Sequence, residues 1–253
     1  MNKIIGHIII ISLLGLAYPA LAQDCQVIDQ FPVEINEPGK YCLDRSHMVN
    51  LNQSESAIHV KSSHVELDFR GYTIANPNKD LLCRNDRTEP SIIGVFVDDD
   101  QHNVRVTGGS LFCFGIGIKI GNSCTSCNGS HRIDNMRIHN SRNIGIFLIG
   151  NSSVIEGNQI TKTGNSESGN IFGIYIYESE VNTIRNNDVQ TMYSGTGIGL
   201  EGVHTALVVE NRVQNAHVGF QLYDSKSIRY RDNLTSTVNN PYIGFGTDLG
   251  NND

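Results

Sequence analysis

A short apolar unit that opens with glycine recurs along the chain. It reads Gly94-Val95-Phe96-Val97, Gly117-Ile118-Lys119-Ile120, Gly145-Ile146-Phe147-Leu148, Gly173-Ile174-Tyr175-Ile176, Gly197-Ile198-Gly199-Leu200, Gly219-Phe220-Gln221-Leu222 and a degenerate Gly244-Phe245-Gly246-Thr247. Successive glycines are 23, 28, 28, 24, 22 and 25 residues apart. Ala57-Ile58-His59-Val60 is an earlier member, set off by an insertion around residues 76–90. A second unit follows each first one: Val104-Arg105-Val106, Ile133-Asp134-Asn135, Ile155-Glu156-Gly157-Asn158, Ile184-Arg185-Asn186-Asn187, Val209-Glu210-Asn211 and Tyr230-Arg231-Asp232-Asn233. Both alternate apolar and polar residues, the period of a half-buried strand. Gly, Asn, Ser and Asp fill the gaps and read as turns. Strands this short cannot make a sheet within one repeat, but they can pair with their equivalents one coil on, about 4.8 Å away. The pattern therefore predicts a solenoid of roughly eight coils. Asn158, Asn187, Asn211 and Asn233 are expected in turns, in left-handed backbone, bonding to the same amide in adjacent coils.

With a G-[IV]-x-[ILV] strand, an Asn-ended second strand and no helical pattern, residues 57–250 resemble the right-handed parallel β-helix, or pectin-lyase-like, superfamily. Leucine-rich repeats, the competing solenoid, require an L-x-x-L-x-L pattern that is absent. The resemblance implies an all-β fold, a single-stranded right-handed parallel β-helix over residues 57–253. Residues 23–56 would cap its first coil, since an open sheet edge invites aggregation, and residues 240–253 would close the other end. The superfamily includes pectate lyases, polygalacturonases, alginate epimerases and lyases, phage tailspikes and non-catalytic surface proteins, and the fold does not choose among them. The catalytic motifs of the pectate lyases, mannuronan epimerases and polygalacturonases are not found, so no residue carries over from them.

The first 22 residues stand apart. Lys3 precedes an apolar stretch from Ile4 to Ala17, and Ala20-Leu21-Ala22 supplies a small-x-small cleavage site. This is the anatomy of a secretory signal peptide cut before Gln23, and the stretch is shorter than the roughly 20 residues of a membrane span. The expected protein is exported, to the periplasm or the extracellular space, with no stable membrane insertion once the signal is removed. The remaining chain holds six cysteines, Cys25, Cys42, Cys83, Cys113, Cys124 and Cys127. An even count in an exported chain reads as disulfides. Proximity favours Cys25–Cys42, Cys83–Cys113 and Cys124–Cys127. For Cys124 and Cys127 half of a zinc site or a redox pair is the rival, against which no second CxxC, no His pair and no βαβ pattern appear.

Composition narrows the partners. Only 18% of residues are charged, 39% are hydrophobic, and the formal net charge is −7. A disordered chain would carry more charge, and a nucleic-acid binder would show a basic run.

The repeat register sorts residues by direction. With Ile118, Ile146, Ile174, Ile198 and Phe220 inward, the next outward column reads Phe96, Lys119, Phe147, Tyr175, Gly199 and Gln221, and the one after it Asp98, Gly121, Ile149, Tyr177, Glu201 and Tyr223. Asp99, Asn122, Glu178 and Asp224 follow at the strand-to-turn edge. One face is thus expected to place Phe147 beside Tyr175 and Tyr177 near Tyr223, with Glu178, Glu201 and Asp224 alongside. Rings flanked by carboxylates suit a sugar, whose apolar faces stack while its hydroxyls bond the acids. Large outward residues on strands also stabilise cross-strand pairs in their own right. Carbohydrate binding is therefore assigned to Phe147, Tyr175, Tyr177, Tyr223, Lys119 and Asp224. Glu178 and Glu201, on neighbouring coils, are the candidate catalytic carboxylates of a hydrolase or lyase. Lys119 is the only cation among these positions, which argues against a polyanionic ligand. Asp98-Asp99-Asp100 offers oxygen ligands for calcium, with an acidic turn as the plainer reading. His204, close to Glu201, is a candidate base.

The expected function is recognition, extending to cleavage, of a polysaccharide or cell-surface glycan. The alternative, from another class, is a non-catalytic structural or surface-interaction scaffold.

Overall fold

The computed structural model describes residues 25–52, 54–76, 92–123, 129–164, 171–191 and 194–253; the signal-like segment lies outside them. The chain winds into a solenoid of about eight turns with no helix among the described residues. Its three sheets are numbered here in the order in which a turn visits them. Sheet 1 has nine strands, from Val33–Ile35 to Asn240–Gly244. Sheet 2 has ten, from Gln26–Val27 to Thr247–Asp248, and sheet 3 has eight, from His47–Met48 to Leu234–Ser236. All pairings are parallel, in register from turn to turn, as in Ile118↔Ile146↔Ile174↔Ile198↔Phe220.

The two recurring units occupy sheets 1 and 2. A third strand follows each second unit, where the sequence suggested only turns: Arg137–His139, Gln159–Thr163, Asp188–Thr191, Arg212–Gln214. Each turns its branched residue, Ile138, Ile160, Val189 or Val213, into the core between polar neighbours. One buried side chain per strand is too short a signal for periodicity to register. Columns from all three sheets fill one continuous core, among them Ile146 and Leu148, Ile155 and Ile160.

The repeated glycine has a steric cause. A Cβ at Gly94, Gly117, Gly145, Gly173, Gly197 or Gly219 would stand 2.5–2.8 Å from a carbonyl oxygen of the next turn. It would also press on a sheet 3 side chain, such as Ile160 Cγ2 at 2.6 Å from the position at Gly145. The degenerate last member is aligned differently from the sequence expectation. Gly244 pairs with Leu222, and the glycine's place in the final turn is taken by Pro241, whose carbonyl faces Gly219.

Asparagines stack between sheets 2 and 3. The Nδ2 groups of Asn158, Asn187, Asn211 and Asn233 each donate to the Oδ1 of the next asparagine, ending at Asn252, at 2.9–3.1 Å. Each also donates to a backbone carbonyl of the preceding turn, those of Ile133, Ile155, Ile184 and Val208. The left-handed residue is not the ladder asparagine but the one before it, Gly157, Asn186, Glu210 or Asp232. The buried amide is thereby fully bonded inside a backbone corner, where a bare polar group would be costly.

The segment expected as a cap contributes strands to all three sheets: Val33–Ile35 pairs with Ser56–Val60, Gly39–Cys42 with Val65–Asp68, and His47–Met48 with Thr73–Ala75. The expected Cys25–Cys42 disulfide ties the first two strands of sheet 2 together. Cys113 is also disulfide-bonded, while Cys83, Cys124 and Cys127 lie outside the described residues. No described helix is long and apolar enough to cross a membrane.

The outer face of sheet 2 carries a network of ion pairs that runs from turn to turn. Lys40 pairs with Glu66, Glu66 and Asp134 with Arg105, Asp134 and Glu156 with Arg132, and Glu156 with Arg185. Burial alone would raise the Asp134 carboxyl, but hydrogen bonds from Arg105 and Thr107 and the charges of Arg105 and Arg132 hold it below its usual range.

Candidate functional site

The outer face of sheet 1 carries the expected column in register. Phe96↔Lys119↔Phe147↔Tyr175↔Gly199↔Gln221 are cross-strand partners on successive turns, and the column extends back to His59 and Glu34. A flat parallel strand fixes these positions because successive side chains alternate faces and equivalent residues stack turn on turn.

The Phe147 and Tyr175 rings lie 5.6 Å apart between centroids, tilted by 44°. Tyr177 meets Tyr175 at 6.1 Å. A further aromatic, absent from the sequence-derived set, completes the group: Phe172 stacks on Tyr175 at 4.3 Å and 17°. Phe172 occupies the outward position just before the glycine, and its ring covers Gly199, whose added Cβ would meet it at 2.6 Å. The signal available for it was the residue before each repeat glycine, which reads Ile93, Ile116, Ile144, Phe172, Thr196 and Val218. Tyr177 and Tyr223 are separated by one turn, each the register partner of Glu201 from opposite sides. Ile149, expected outward, is buried at 4% exposure against Gly121.

Two tyrosine–glutamate pairs border the rings. Tyr175 Oη donates to Glu201 Oε2 at 2.7 Å, and the Glu178 carboxylate follows Tyr177 in the chain and acts on its phenol. Burial, then the Glu201 carboxylate, pushes the Tyr175 phenol well above its ordinary range. The Tyr177 phenol is raised by Glu178. Glu178 and Glu201 sit on adjacent turns, joined by the Glu178 N–H to Glu201 C=O bond of 2.9 Å. Glu178 and Asp224 are exposed at the strand-to-turn edge, both with positive φ, and Tyr223 is exposed beside them.

At the other end of the face, Lys119 lies between Phe96 and Phe147, with Nζ 5.5 and 5.9 Å from the two ring centroids. Asp98 accepts a hydrogen bond of 2.6 Å with His59 Nε2, and His59 packs on Phe96 at 4.7 Å. Asp99 accepts from the Ser123 N–H at 3.2 Å and from the Asn122 N–H. Asp98 and Asp99 thus turn to separate protein partners. Among the described residues no three His, Cys, Asp or Glu side chains are grouped as metal ligands. His204 lies 3.7 Å from Glu180, its neighbour along the outer edge of sheet 2.

Comparison with known proteins adds the fold's relatives. Among solved structures, the enzymatically active domain of tailspike protein 2 of bacteriophage CBA120 is 13% identical, with a TM-score of 0.45 over 85% of this chain and 41% of that one. A lacto-N-biosidase of Eubacterium ramulus is 10% identical, with a TM-score of 0.41 over 84% of this chain and 46% of that one. The A-module of a mannuronan C-5 epimerase of Azotobacter vinelandii is 10% identical, with a TM-score of 0.37 over 88% and 83%. The chain therefore spans less than half of the first two, and likeness this distant carries nothing about substrate or reaction. No curated protein matches the sequence. The family model described as the right handed beta helix region matches residues 117–252, more than half of the chain, and the protein belongs to that family.

Proposed function

We propose that this is an exported protein that binds a polysaccharide along the outer face of sheet 1. The observation that carries the reading is the group Phe147, Tyr175 and Tyr177 on the outer side of sheet 1, with the buried Phe172 packed against Tyr175, each ring 4.3–6.1 Å from that of Tyr175 and bordered by the Glu201 and Glu178 carboxylates. Rings of this kind offer broad apolar area at low entropic cost, and carboxylates accept hydrogen bonds from hydroxyls. The repeat of the sheet, about 4.8 Å per turn, suits an extended chain lying across successive strands. Lys119 and Phe147 would contact the glycan on one side, and Tyr223 and Asp224 on the other. Export is supported by the leader-like first 22 residues and by disulfides at Cys25–Cys42 and Cys113.

The test is binding of residues 23–253 to a panel of neutral and acidic polysaccharides, with and without calcium. Replacing Tyr175 and Tyr177 together with Ala is expected to weaken binding at least tenfold, about 1.4 kcal/mol, while the urea midpoint moves little. Unchanged affinity in that double variant would falsify the reading. The same incubations report chemistry. New reducing or unsaturated ends that vanish in Glu178→Gln or Glu201→Gln assign those carboxylates to cleavage. Binding without new ends makes the face a recognition surface, and neither signal across the panel favours a structural scaffold.

A further inference from the structure

Four cations on the outer face of sheet 2 are paired with carboxylates: Lys40 with Glu66, Arg105 with Asp134, Arg132 and Arg185 with Glu156. Lys119 on sheet 1 is not. It is half-buried in the cross-strand column between Phe96 and Phe147, and its Nζ donates to Asn122 Oδ1. Among the described residues no carboxylate lies within ion-pair distance of it. Asp99, which acts on it electrostatically, already accepts from two backbone amides, and Asp98 is held by His59. A partly desolvated charge without a counter-ion is costly, and ring faces repay only part of that cost. Burial accordingly lowers the Lys119 pKa, with Asp99 opposing.

We propose that Phe96, Lys119 and Phe147 form a subsite for a single acidic sugar, its carboxylate on the Lys119 ammonium and its ring over Phe147. The inference rests on sheet 1 being a glycan-binding face and names the class of glycan. The column holds one lysine, near which Asp98 and Asp99 are engaged by His59 and by backbone amides, and Glu201, Glu178 and Asp224 lie at the other end of the face. Lys119 and Glu201 are three turns apart in register, about 14 Å at 4.8 Å per turn. A second carboxylate placed there would meet like charge. The ligand is therefore a heteropolysaccharide in which a uronate is separated by neutral sugars, and a continuous polyuronate is disfavoured.

Gellan, a linear glycan with a single glucuronate in each repeating unit, and gellan whose carboxylates have been reduced to alcohols are the paired probes. Affinity is measured for the unsubstituted protein, Lys119→Met, which keeps the apolar stem between the rings, and Lys119→Arg, which keeps the charge. Carboxyl reduction is expected to weaken binding about tenfold in the unsubstituted protein and in Lys119→Arg, and to leave Lys119→Met unaffected. A Lys119→Met protein that still prefers native gellan overturns the subsite. So does an unsubstituted protein that treats the two glycans alike, or that binds neither while holding a neutral glycan through Tyr175 and Tyr177; the face reading survives in that case. Loss of tyrosine-dependent binding to every glycan removes both. Urea midpoints confirm that the variants are folded.

Discussion

His131 is 2% exposed, and its Nδ1 makes no hydrogen bond. It immediately precedes the sheet 2 strand Arg132–Asp134, and the Ser153 Oγ of the next turn accepts its backbone N–H. Burial, with His102 nearby, pushes its pKa from 6.5 down to about 4, against the hydrogen bond with the Gln101 backbone. The folded chain therefore keeps the imidazole neutral while the unfolded chain takes up a proton below about pH 6.5. More protons bind the unfolded state across this window, so the contribution to stability is intact above pH 6.5, falls as the pH drops towards 4, and loses nothing further below it. Its size is on the order of 3 kcal/mol. His139 is displaced in the same direction by burial, Arg137 and Lys162. Urea unfolding at pH 7 and pH 4.5 is expected to show a steeper loss for the unsubstituted protein than for His131→Gln. Equal losses would mean that His131 is protonated in the fold. Nothing in the sequence announced this histidine. It lies just before the repeat unit Ile133-Asp134-Asn135, and no histidine recurs at that place in the other repeats to mark it as buried. The asparagine ladder was legible because one residue type recurs, whereas its left-handed neighbour varies among Gly, Asn, Glu and Asp and leaves no signature.

The strand is the scale at which the sequence spoke most clearly. Alternation over Ile146, Phe147 and Leu148 gave the inward and outward sides of sheet 1, and the register shows Phe147 opposite Tyr175 as that alternation requires. The third strand was too short for periodicity to register, and Phe172 was missed for a local reason. Gly173 points inward with Ile174, so the simple period of two breaks at the glycine and Phe172 is turned outward against Tyr175. The glycine is thus the element's pivot. Gly145→Ala would set a methyl 2.5 Å from the Gly173 carbonyl oxygen and 2.6 Å from Ile160 Cγ2, atoms of two different strands that cannot both yield. Overpacking of this kind costs about 1–3 kcal/mol, and the backbone clash places the variant at the upper end. Phe147→Ala, two residues along and facing out, is expected to cost about 1 kcal/mol and to leave the fold intact. Chemical denaturation of the two variants separates them, and a Gly145→Ala protein as stable as Phe147→Ala would remove the steric account of the repeat.

Along the whole molecule, each turn packs on its neighbours alone, so stability is a sum of local terms and the ends are the weak points. The two ends differ. The first turn is tied by Cys25–Cys42, spanning 17 residues, a constraint worth about 3 kcal/mol in a loop of that length. The last turn has strands paired on one side only, with Phe245 at 85% exposure and Leu234 and Leu249 also exposed, and its core is closed by the Phe220–Tyr242–Tyr230 ring stack. Hydrogen exchange should therefore be slow in the middle turns, for instance at Ile146, Ile174 and Ile198, and fastest over residues 234–248. In a Cys25→Ser, Cys42→Ser variant, protection is expected to fall over residues 26–42 and to stay unchanged at Tyr242 and Thr247, because the turns between absorb the loss. Equal deprotection at both ends would instead mean that the solenoid opens as one cooperative unit. The sheet 1 face lies over the middle turns, so glycan binding at Phe147, Tyr175 and Glu201 is expected to persist in that variant even as the first turn frays.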